Sequence, residues 1–200
     1  TPNTSSAASD VYKRQACMFT SVILGAGKST RMKANKSKLL FNIAGKPVIN
    51  HILSSLKAAK AKHNICVINN SSAELKKILQ AEKISFAYQK ILDGTAGAVK
   101  AALKSKKNSN SKILILCGDV PFITSNSIKK LVAKLKNHDA VVGTVELESP
   151  KGYGRIVRVN NKFSSIVEEK ETTPDERQIR EVNTGTVSYT QLKLPTTYSV

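Results

Sequence analysis

The sequence predicts an α/β fold, in which a mixed, mostly parallel sheet carries helices on both faces. Up to Asp139, short apolar runs rich in β-branched residues alternate with longer segments whose apolar residues repeat at helical spacing. After Asp139 the helical period disappears, and strand-like segments follow one another through turns that contain Gly and Asn. Alternating strands and helices form parallel sheets covered on both faces, and the closing strands predict antiparallel additions at one side.

Each strand and helix is predicted from its own pattern. Four short apolar runs predict strands over residues 19–24, 65–68, 84–88 and 113–117. Four segments with an apolar stripe predict helices over residues 46–60, 72–80, 95–105 and 125–137. Three further strands are predicted over residues 140–147, 155–159 and 164–168. In the first helix, Pro47 lies near the first turn, where proline is tolerated.

The two ends of the chain differ from its middle. Residues 1–16 are rich in Ser, Thr and Ala without apolar periodicity, and Met18 directly precedes the first strand. We expect Met18 to be the natural start and residues 1–17 to be a non-native or disordered tail. Residues 187–200 also lack a helical period, and we expect a second such tail there. One domain, residues 18–186, is therefore predicted.

The charge and the cysteines limit the partners and the location. A formal net charge of +18 comes from lysines scattered along the chain, which is typical of solvated helix faces but also attracts polyanions such as a triphosphate. Zinc-finger spacing, basic aromatic strands and basic heptads are absent from the sequence, so nucleic acid is the weaker partner. Cys17, Cys66 and Cys117 form no CxxC pair. With short apolar runs and no signal pattern, we expect a cytoplasmic protein without a membrane partner.

A Gly-rich loop, residues 24–32, follows the first strand and reads LGAGKSTRM. Glycines let backbone amides approach phosphate oxygens, although a tight structural turn explains many such loops. A Walker A motif requires glycine where Val22 stands, and a dinucleotide fingerprint requires glycine where Thr30 stands. A P-loop ATPase and a Rossmann dehydrogenase therefore both fit poorly.

The loop resembles the signature of the sugar nucleotidyltransferases, in which Gly-x-Gly-Thr-Arg-Met precedes a Pro-Lys pair. Further segments resemble the uridyltransferase domain of the bifunctional N-acetylglucosamine-1-phosphate uridyltransferase/glucosamine-1-phosphate acetyltransferase family, in the family's order and spacing. These segments are QKILDGTAG (89–97), LCGDVPFI (116–123), GYGR (152–155), IVEEK (166–170) and TPDERQIREVNTG (173–185). The resemblance covers about residues 19–186. It implies a Rossmann-like, glycosyltransferase-A-like nucleotidyltransferase fold.

The resemblance also implies a set of site residues. Substrate binding is implied for Leu24, Gly25, Ala26, Gly27, Lys38, Gln89, Gly94, Thr95, Cys117, Gly118, Asp119, Gly154, Glu168 and Asn183. Residues 24–27 would hold the nucleotide, residues 89, 94 and 95 the uracil, and residues 117–119 the ribose and metal. Gly154, Glu168 and Asn183 would hold the N-acetylglucosamine. Catalysis is implied for Arg31 and Lys38, and Asp119 would be a ligand of the cofactor Mg²⁺.

The implied reaction joins UTP to N-acetylglucosamine-1-phosphate, giving UDP-N-acetylglucosamine and pyrophosphate for cell-wall precursor synthesis. The sugar phosphate is already a nucleophile, so alignment and charge neutralisation suffice. Arginine, lysine and a magnesium-binding carboxylate suit that task. Ser29 and Ser37 replace a family glycine and proline, and Cys117 replaces a common aromatic or aliphatic residue. No charged group is lost.

In the family, chain beyond the NTG segment supplies a second metal ligand and an acetyltransferase half. We therefore expect a truncated domain with weak or no activity and a monomeric state, whereas the intact parent would be a trimer. Taken one at a time, three of these residues also have a purely structural interpretation. Asp119 could cap a turn, Glu168 could be an ordinary surface charge and Asn183 could be a turn residue. A nucleotidyltransferase for another sugar phosphate or base, and a non-catalytic polyanion-binding protein, are the alternative functions.

Overall fold

The computed structural model describes residues 18–27, 37–69, 73–91, 94–104 and 112–190. Contacts divide them into two compact units. The first includes the described residues up to Val141 and from Ser188 onward, and the second is Val142–Val187. The tail expected at residues 1–17 and the loop residues 28–36, which include Arg31, lie outside the described residues.

The first unit is an α/β structure built on four parallel strands. In chain order its elements are β1 (Phe19–Leu24), a 3₁₀ turn (Lys38–Leu40), β2 (Asn42–Ile43), β3 (Lys46–Pro47), α1 (Val48–Ala58), β4 (His63–Ile68), α2 (Ala73–Ala81), β5 (Ser85–Tyr88), α3 (Thr95–Lys104), β6 (Lys112–Cys117) and α4 (Ser125–Lys134). The parallel strands have the order β5-β4-β1-β6. Strands β2 and β3 form a separate small antiparallel hairpin.

Two apolar cores lie on the two faces of this parallel sheet, because successive side chains of a strand point in opposite directions. Phe19 and Ile23 of β1 pack in one cluster with residues of α1, α2 and α4. Val22 packs in the other cluster with residues of α3. The predicted α/β class with helices on both faces is confirmed.

The second unit is mainly antiparallel. The chain enters it within β7 (Ala140–Glu146), continues through β8 (Arg155–Val159), β9 (Lys162–Val167) and α5 (Pro174–Arg177), and leaves it within β10 (Glu181–Tyr189). Strand β8 pairs antiparallel with both β9 and β10. Asn160 and Asn161, with φ of 50° and 60°, form the two-residue turn between β8 and β9, as expected of asparagines in a tight hairpin.

Several observed boundaries differ from the predicted ones. Helix α1 begins at Val48 rather than residue 46, because Lys46 and Pro47 pair with the preceding strand. Helix α4 ends at Lys134 rather than residue 137. The boundary predicted after residue 186 falls inside β10, which continues to Tyr189. None of the helices among the described ranges has both the length and the apolar character needed to span a bilayer.

Strand β10 escaped the sequence patterns because its buried positions are partly polar. Val182, Thr186 and Ser188 are buried, at the even spacing of one strand face. The Ser188 hydroxyl donates hydrogen bonds to the carbonyl oxygens of Leu131 at 3.3 Å and Val141 at 3.5 Å. Threonine and serine with such partners occupy positions where a pattern search requires apolar residues.

Candidate functional site

The ends of the parallel strands bring the predicted nucleotide residues to one edge of the first unit. Leu24, the last residue of β1, is in register with Val67 of β4 and with Cys117 of β6. The loops that follow these strands therefore leave from the same edge. Ligands of open α/β sheets bind at this carboxyl edge.

A cavity of about 420 Å³ lies at this edge. The residues that line it are Leu24, Ala26, Gly27, Lys38, Gln89, Gly94, Thr95, Ala98 and Cys117. All of them except Ala98 were assigned to substrate binding by the family resemblance. The volume is within the range of small-molecule sites, about 300–1,000 Å³. The structure thus groups the predicted residues around a space that a small ligand can enter.

Gly25 and Gly118 lie beside this cavity and are required by close packing. A Cβ on Gly25 would lie 2.5 Å from Leu39 Cδ1, and a Cβ on Gly118 would lie 2.7 Å from both the Leu24 carbonyl oxygen and Leu39 Cδ2. A Cβ on Gly27, in contrast, would meet no atom of the described residues within 4 Å. Packing against Leu39 therefore explains two of the predicted site glycines without any ligand.

Lys38 and Asp119 form an ion pair at the rim of the cavity. The Lys38 Nζ atom lies 2.7 Å from Asp119 Oδ2, across 81 residues of sequence. Buried Leu39 and Leu40 hold the 3₁₀ turn that begins at Lys38, and the Ser37 hydroxyl caps this turn. Since the two side chains are 27% and 59% exposed, the pair contributes little to stability. A lysine and a carboxylate here are available to solvent and to a ligand.

Cys117 lines the cavity and is close to both members of this ion pair. Burial and the neighbouring Asp119 carboxylate raise the pKa of the Cys117 thiol, whereas the Lys38 ammonium lowers it in part. The thiol therefore keeps its proton at neutral pH. Because thiolates are the nucleophiles and metal ligands, Cys117 is suited to packing against a ligand rather than to attack or coordination.

Asp119, the metal ligand implied by the family resemblance, is a single exposed carboxylate beside the cavity. Within the described ranges, no group of three or more His, Cys, Asp or Glu side chains could hold a metal. Magnesium commonly keeps several waters and binds through one or two carboxylates plus substrate phosphates. One exposed carboxylate next to a cavity fits this mode.

Gln89, Gly94 and Thr95 form one wall of the cavity. Gln89 is buried and donates its backbone amide to the Ile68 carbonyl oxygen at 3.0 Å. Its side-chain Nε2 donates to the Gly94 carbonyl oxygen at 3.0 Å. Thr95 begins α3, and the first amides of a helix have no carbonyl partner within that helix. The three residues predicted to contact a base are therefore neighbours.

The three predicted sugar residues form a cluster within the second unit. The Asn183 amide donates to the Gly154 carbonyl oxygen at 2.9 Å. A Cβ on Gly154 would lie 3.3 Å from Glu168 Oε1. The Asn183 Oδ1 atom accepts a hydrogen bond from the Gly185 amide at 2.9 Å. Residues from three different strand ends are thus brought together.

Two charged residues without a predicted role lie next to this cluster. Arg155 Nη1 forms an ion pair with Glu169 Oε2 at 2.8 Å. Arg155 directly follows Gly154, and Glu169 directly follows Glu168. Their positions in the GYGR and IVEEK segments were the available signal, but the sequence does not show that they pair.

Comparisons with known proteins show which family the sequence matches. The sequence matches the model of the MobA-like NTP transferase domain over residues 21–170. The bifunctional protein GlmU of Buchnera aphidicola subsp. Schizaphis graminum (strain Sg) is 38% identical over 165 residues, which cover 82% of this chain and 36% of that protein. The bifunctional protein GlmU of Buchnera aphidicola subsp. Baizongia pistaciae (strain Bp) is 37% identical over 174 residues, covering 86% of this chain and 39% of that protein.

A solved structure matches the fold. It is a protein from Bacillus anthracis named as a proposed glucose-1-phosphate thymidylyltransferase, in complex with sucrose, with a TM-score of 0.67 and 20% identity, over 86% of this chain and 71% of that one. The resemblance found in the sequence and the Rossmann-like fold are confirmed. The chain spans less than two fifths of the length of the curated relatives it matches.

Proposed function

Because the chain belongs to the MobA-like NTP transferase domain family, we propose that it transfers a uridylyl group from UTP to N-acetylglucosamine-1-phosphate. The observation that carries this proposal is the cavity of about 420 Å³ with the Lys38–Asp119 pair at its rim. Similarity to bifunctional GlmU proteins supports the choice of substrates. A lysine, a carboxylate and a helix N-terminus at one cavity match a nucleoside triphosphate with its metal ion.

The nucleotide occupies the cavity of the first unit. Its base contacts Gln89 and Gly94, and its phosphates lie near Gly27, where a Cβ would meet no atom of the described residues within 4 Å. The first turn of α3, at Thr95, supplies backbone amides that can donate to the carbonyl oxygens of the base. Lys38 exchanges its contact with Asp119 for a phosphate oxygen when the nucleotide binds.

The reaction is a displacement at the α-phosphorus of UTP. A phosphate oxygen of the sugar phosphate forms the new bond, and the bond to the oxygen bridging the α- and β-phosphorus breaks, releasing pyrophosphate. Lys38 and Arg31 neutralise the charge that accumulates on the phosphates, and no general base is required. A magnesium ion held by Asp119 and the phosphates would supply further charge neutralisation. In the second unit, Gly154, Glu168 and Asn183 bind the N-acetylglucosamine.

Calorimetric titration with Mg²⁺–UTP tests the nucleotide site. Asp119→Asn and Lys38→Met should each weaken binding about 10- to 100-fold, because contacts with charged groups contribute about 1.5–3 kcal/mol. The control variant is Lys134→Met, which removes an exposed lysine from the last turn of α4 and should bind like the wild type. With EDTA in place of Mg²⁺, Asp119→Asn should no longer differ from the wild type. Equal weakening by all three variants would contradict the site.

The same calorimetric titration is repeated with other nucleoside triphosphates and with duplex DNA. Preference for a base other than uracil would transfer the proposal to a different nucleotidyltransferase. Tight, strongly salt-dependent binding of duplex DNA without any nucleotide preference would favour a polyanion-binding protein instead. The charge of +18 makes this second comparison necessary.

Pyrophosphate release measures the chemistry itself. With UTP, N-acetylglucosamine-1-phosphate and Mg²⁺, we propose that this chain releases pyrophosphate. Replacement of the sugar phosphate by glucose-1-phosphate should reduce the rate. Absence of pyrophosphate release, or an equal rate with both sugar phosphates, would contradict the proposed reaction.

A further inference from the structure

Arg155 is an almost fully buried arginine in the second unit. It is 2% exposed and lies at the first position of β8, directly after Gly154. Buried guanidinium groups are costly unless they are paired and hydrogen-bonded. Its partners therefore indicate which parts of the chain it holds in place.

These partners lie in α5 and in the two loops that carry Gly154 and Glu168, two of the three proposed sugar ligands. The Arg155 guanidinium donates to the Tyr153 and Arg177 carbonyl oxygens and forms the ion pair of 2.8 Å with Glu169. Glu169 Oε2 also accepts a hydrogen bond from the Gly152 amide at 3.0 Å. The carboxylate of Glu169 thus joins the loop before β8 to the loop after β9.

The backbone of Glu169 is held by further hydrogen bonds. The Thr172 hydroxyl donates to the Glu169 carbonyl oxygen at 2.8 Å, and Arg177 Nε donates to the Thr172 hydroxyl at 3.3 Å. The Gly152 amide, foremost, and the Arg155 guanidinium hold the pKa of the Glu169 carboxyl below its ordinary value. At neutral pH the Glu169 carboxyl is therefore ionised.

We propose that Arg155 and Glu169 are positioning residues, which set the spacing between the Gly154 backbone and the Glu168 carboxylate and so determine selectivity for the sugar. This inference rests on the proposed function. Glu168 Oε1 would lie only 3.3 Å from a Cβ on Gly154, so a small shift of either loop changes the space available to a sugar. Alignment within about half an ångström is what ligand-contacting groups require.

The second unit offers a matched control. Arg158, also on β8, forms a two-point ion pair with Glu181 at 2.7 and 2.8 Å. Arg158 is 43% exposed, and neither Arg158 nor Glu181 adjoins a proposed sugar ligand in sequence. Arg158→Met therefore removes an arginine–glutamate ion pair from the same strand. It leaves in place the contacts that hold the loops of Gly154 and Glu168.

The test compares UDP-N-acetylglucosamine with UDP, titrated into the same chain by calorimetry in Mg²⁺ buffer. The ratio of the two Kd values isolates the contribution of the sugar. Glu169→Gln should raise the Kd of UDP-N-acetylglucosamine about tenfold, the lower end of what loss of an orienting hydrogen-bond partner costs at ligand sites. It should leave the Kd of UDP within about twofold of the wild-type value, since the nucleotide residues belong to the other unit. Arg158→Met should leave both Kd values unchanged.

The outcomes separate the two proposals. If the wild-type chain binds UDP and UDP-N-acetylglucosamine equally, the proposed sugar site is wrong. If the wild type prefers the sugar nucleotide and Glu169→Gln retains that preference, the positioning role is wrong. If Arg158→Met loses the preference for UDP-N-acetylglucosamine as much as Glu169→Gln does, the positioning role is also wrong. That result would indicate general destabilisation of the second unit. Should Glu169→Gln fail to fold by circular dichroism, Arg155→Lys, which keeps the charge but not the planar fork, is judged by the same ratio.

Discussion

The first unit buries many apolar side chains, on both faces of its parallel sheet. The second unit, Val142–Val187, buries two, those of Ile156 and Val182. The second unit instead buries Arg155, Thr172 and Thr186. Hydrophobic packing involves no titrating group, whereas ion pairs change with pH and are screened by salt. The two units are therefore expected to respond differently to the same perturbation.

The difference extends to the proposed ligands. On the nucleotide side, Gly25 and Gly118 are held by close packing against Leu39, so backbone geometry is fixed by apolar contacts. On the sugar side, Gly154 and Glu168 are held by the ion pair and hydrogen bonds around them. Changes in apolar volume should therefore disturb the first unit, and changes in charge should disturb the second.

The largest effect is expected from a cavity in the first unit. Leu116 of β6 has no exposed surface and packs in the cluster with α1, α2 and α4. Leu116→Ala should lower the free energy of unfolding by about 2–5 kcal/mol, through lost burial and the cavity left behind. Urea unfolding followed by circular dichroism measures it. Val159→Ala, at a position 58% exposed in the second unit, should cost less than about 0.5 kcal/mol, and equal costs would contradict the comparison.

A smaller loss is expected from overpacking at the edge of the sheet. Gly118→Ala introduces a Cβ 2.7 Å from the Leu24 carbonyl oxygen, and β1 or Leu39 must shift to accept it. Such crowding costs about 1–3 kcal/mol. Gly27→Ala is the matched control, since its Cβ would meet no described atom within 4 Å. If Gly118→Ala unfolds at the wild-type urea concentration, packing does not explain this glycine.

The same two units differ in how far the sequence determines them. Strands β1, β4, β5 and β6 follow from short apolar runs, since both faces of a parallel sheet are buried. The β2–β3 hairpin has only two residues in each strand, too few for a period to be visible. Strand β10 was missed because Thr186 and Ser188 occupy buried positions that an apolar pattern does not mark.

The candidate site shows the same limit. Its residues were found through family motifs, and the structure places most of the nucleotide set around one cavity. The sequence could not show why glycine is required at positions 25 and 118, because the requirement comes from the close approach of the Leu39 side chain. The Arg155–Glu169 pair was missed because the pairing of distant charges is a tertiary property. The predicted catalytic Arg31 lies outside the described residues and keeps its role as a prediction.

A capping change in the second unit should have a smaller effect. The Thr173 hydroxyl accepts a hydrogen bond from the Glu176 amide at 3.3 Å, and Glu176 Oε2 accepts one from the Thr173 amide at 2.8 Å. Thr173→Ala removes half of this capping box and should cost about 0.5–2 kcal/mol. Thr173→Ser keeps the hydroxyl and should restore most of the loss. Urea unfolding of both variants measures it, and identical midpoints for alanine and serine would exclude the cap.

The smallest effect is expected from the charge of Glu169, because this carboxylate is 32% exposed and solvent screens its ion pair. The Gly152 amide and Arg155 lower the pKa of Glu169, so its folded pKa lies below its unfolded pKa. The resulting stabilisation is complete above the unfolded pKa and disappears as pH falls through the folded pKa. Glu169→Gln should therefore unfold at lower urea concentration than the wild type at pH 7, and the difference should vanish in acid. The Gly152 amide resonance should titrate at the same depressed pKa in the wild type alone. A difference in urea midpoint that is independent of pH would assign the effect of Glu169 to packing rather than charge, and would weaken the contrast between the two units.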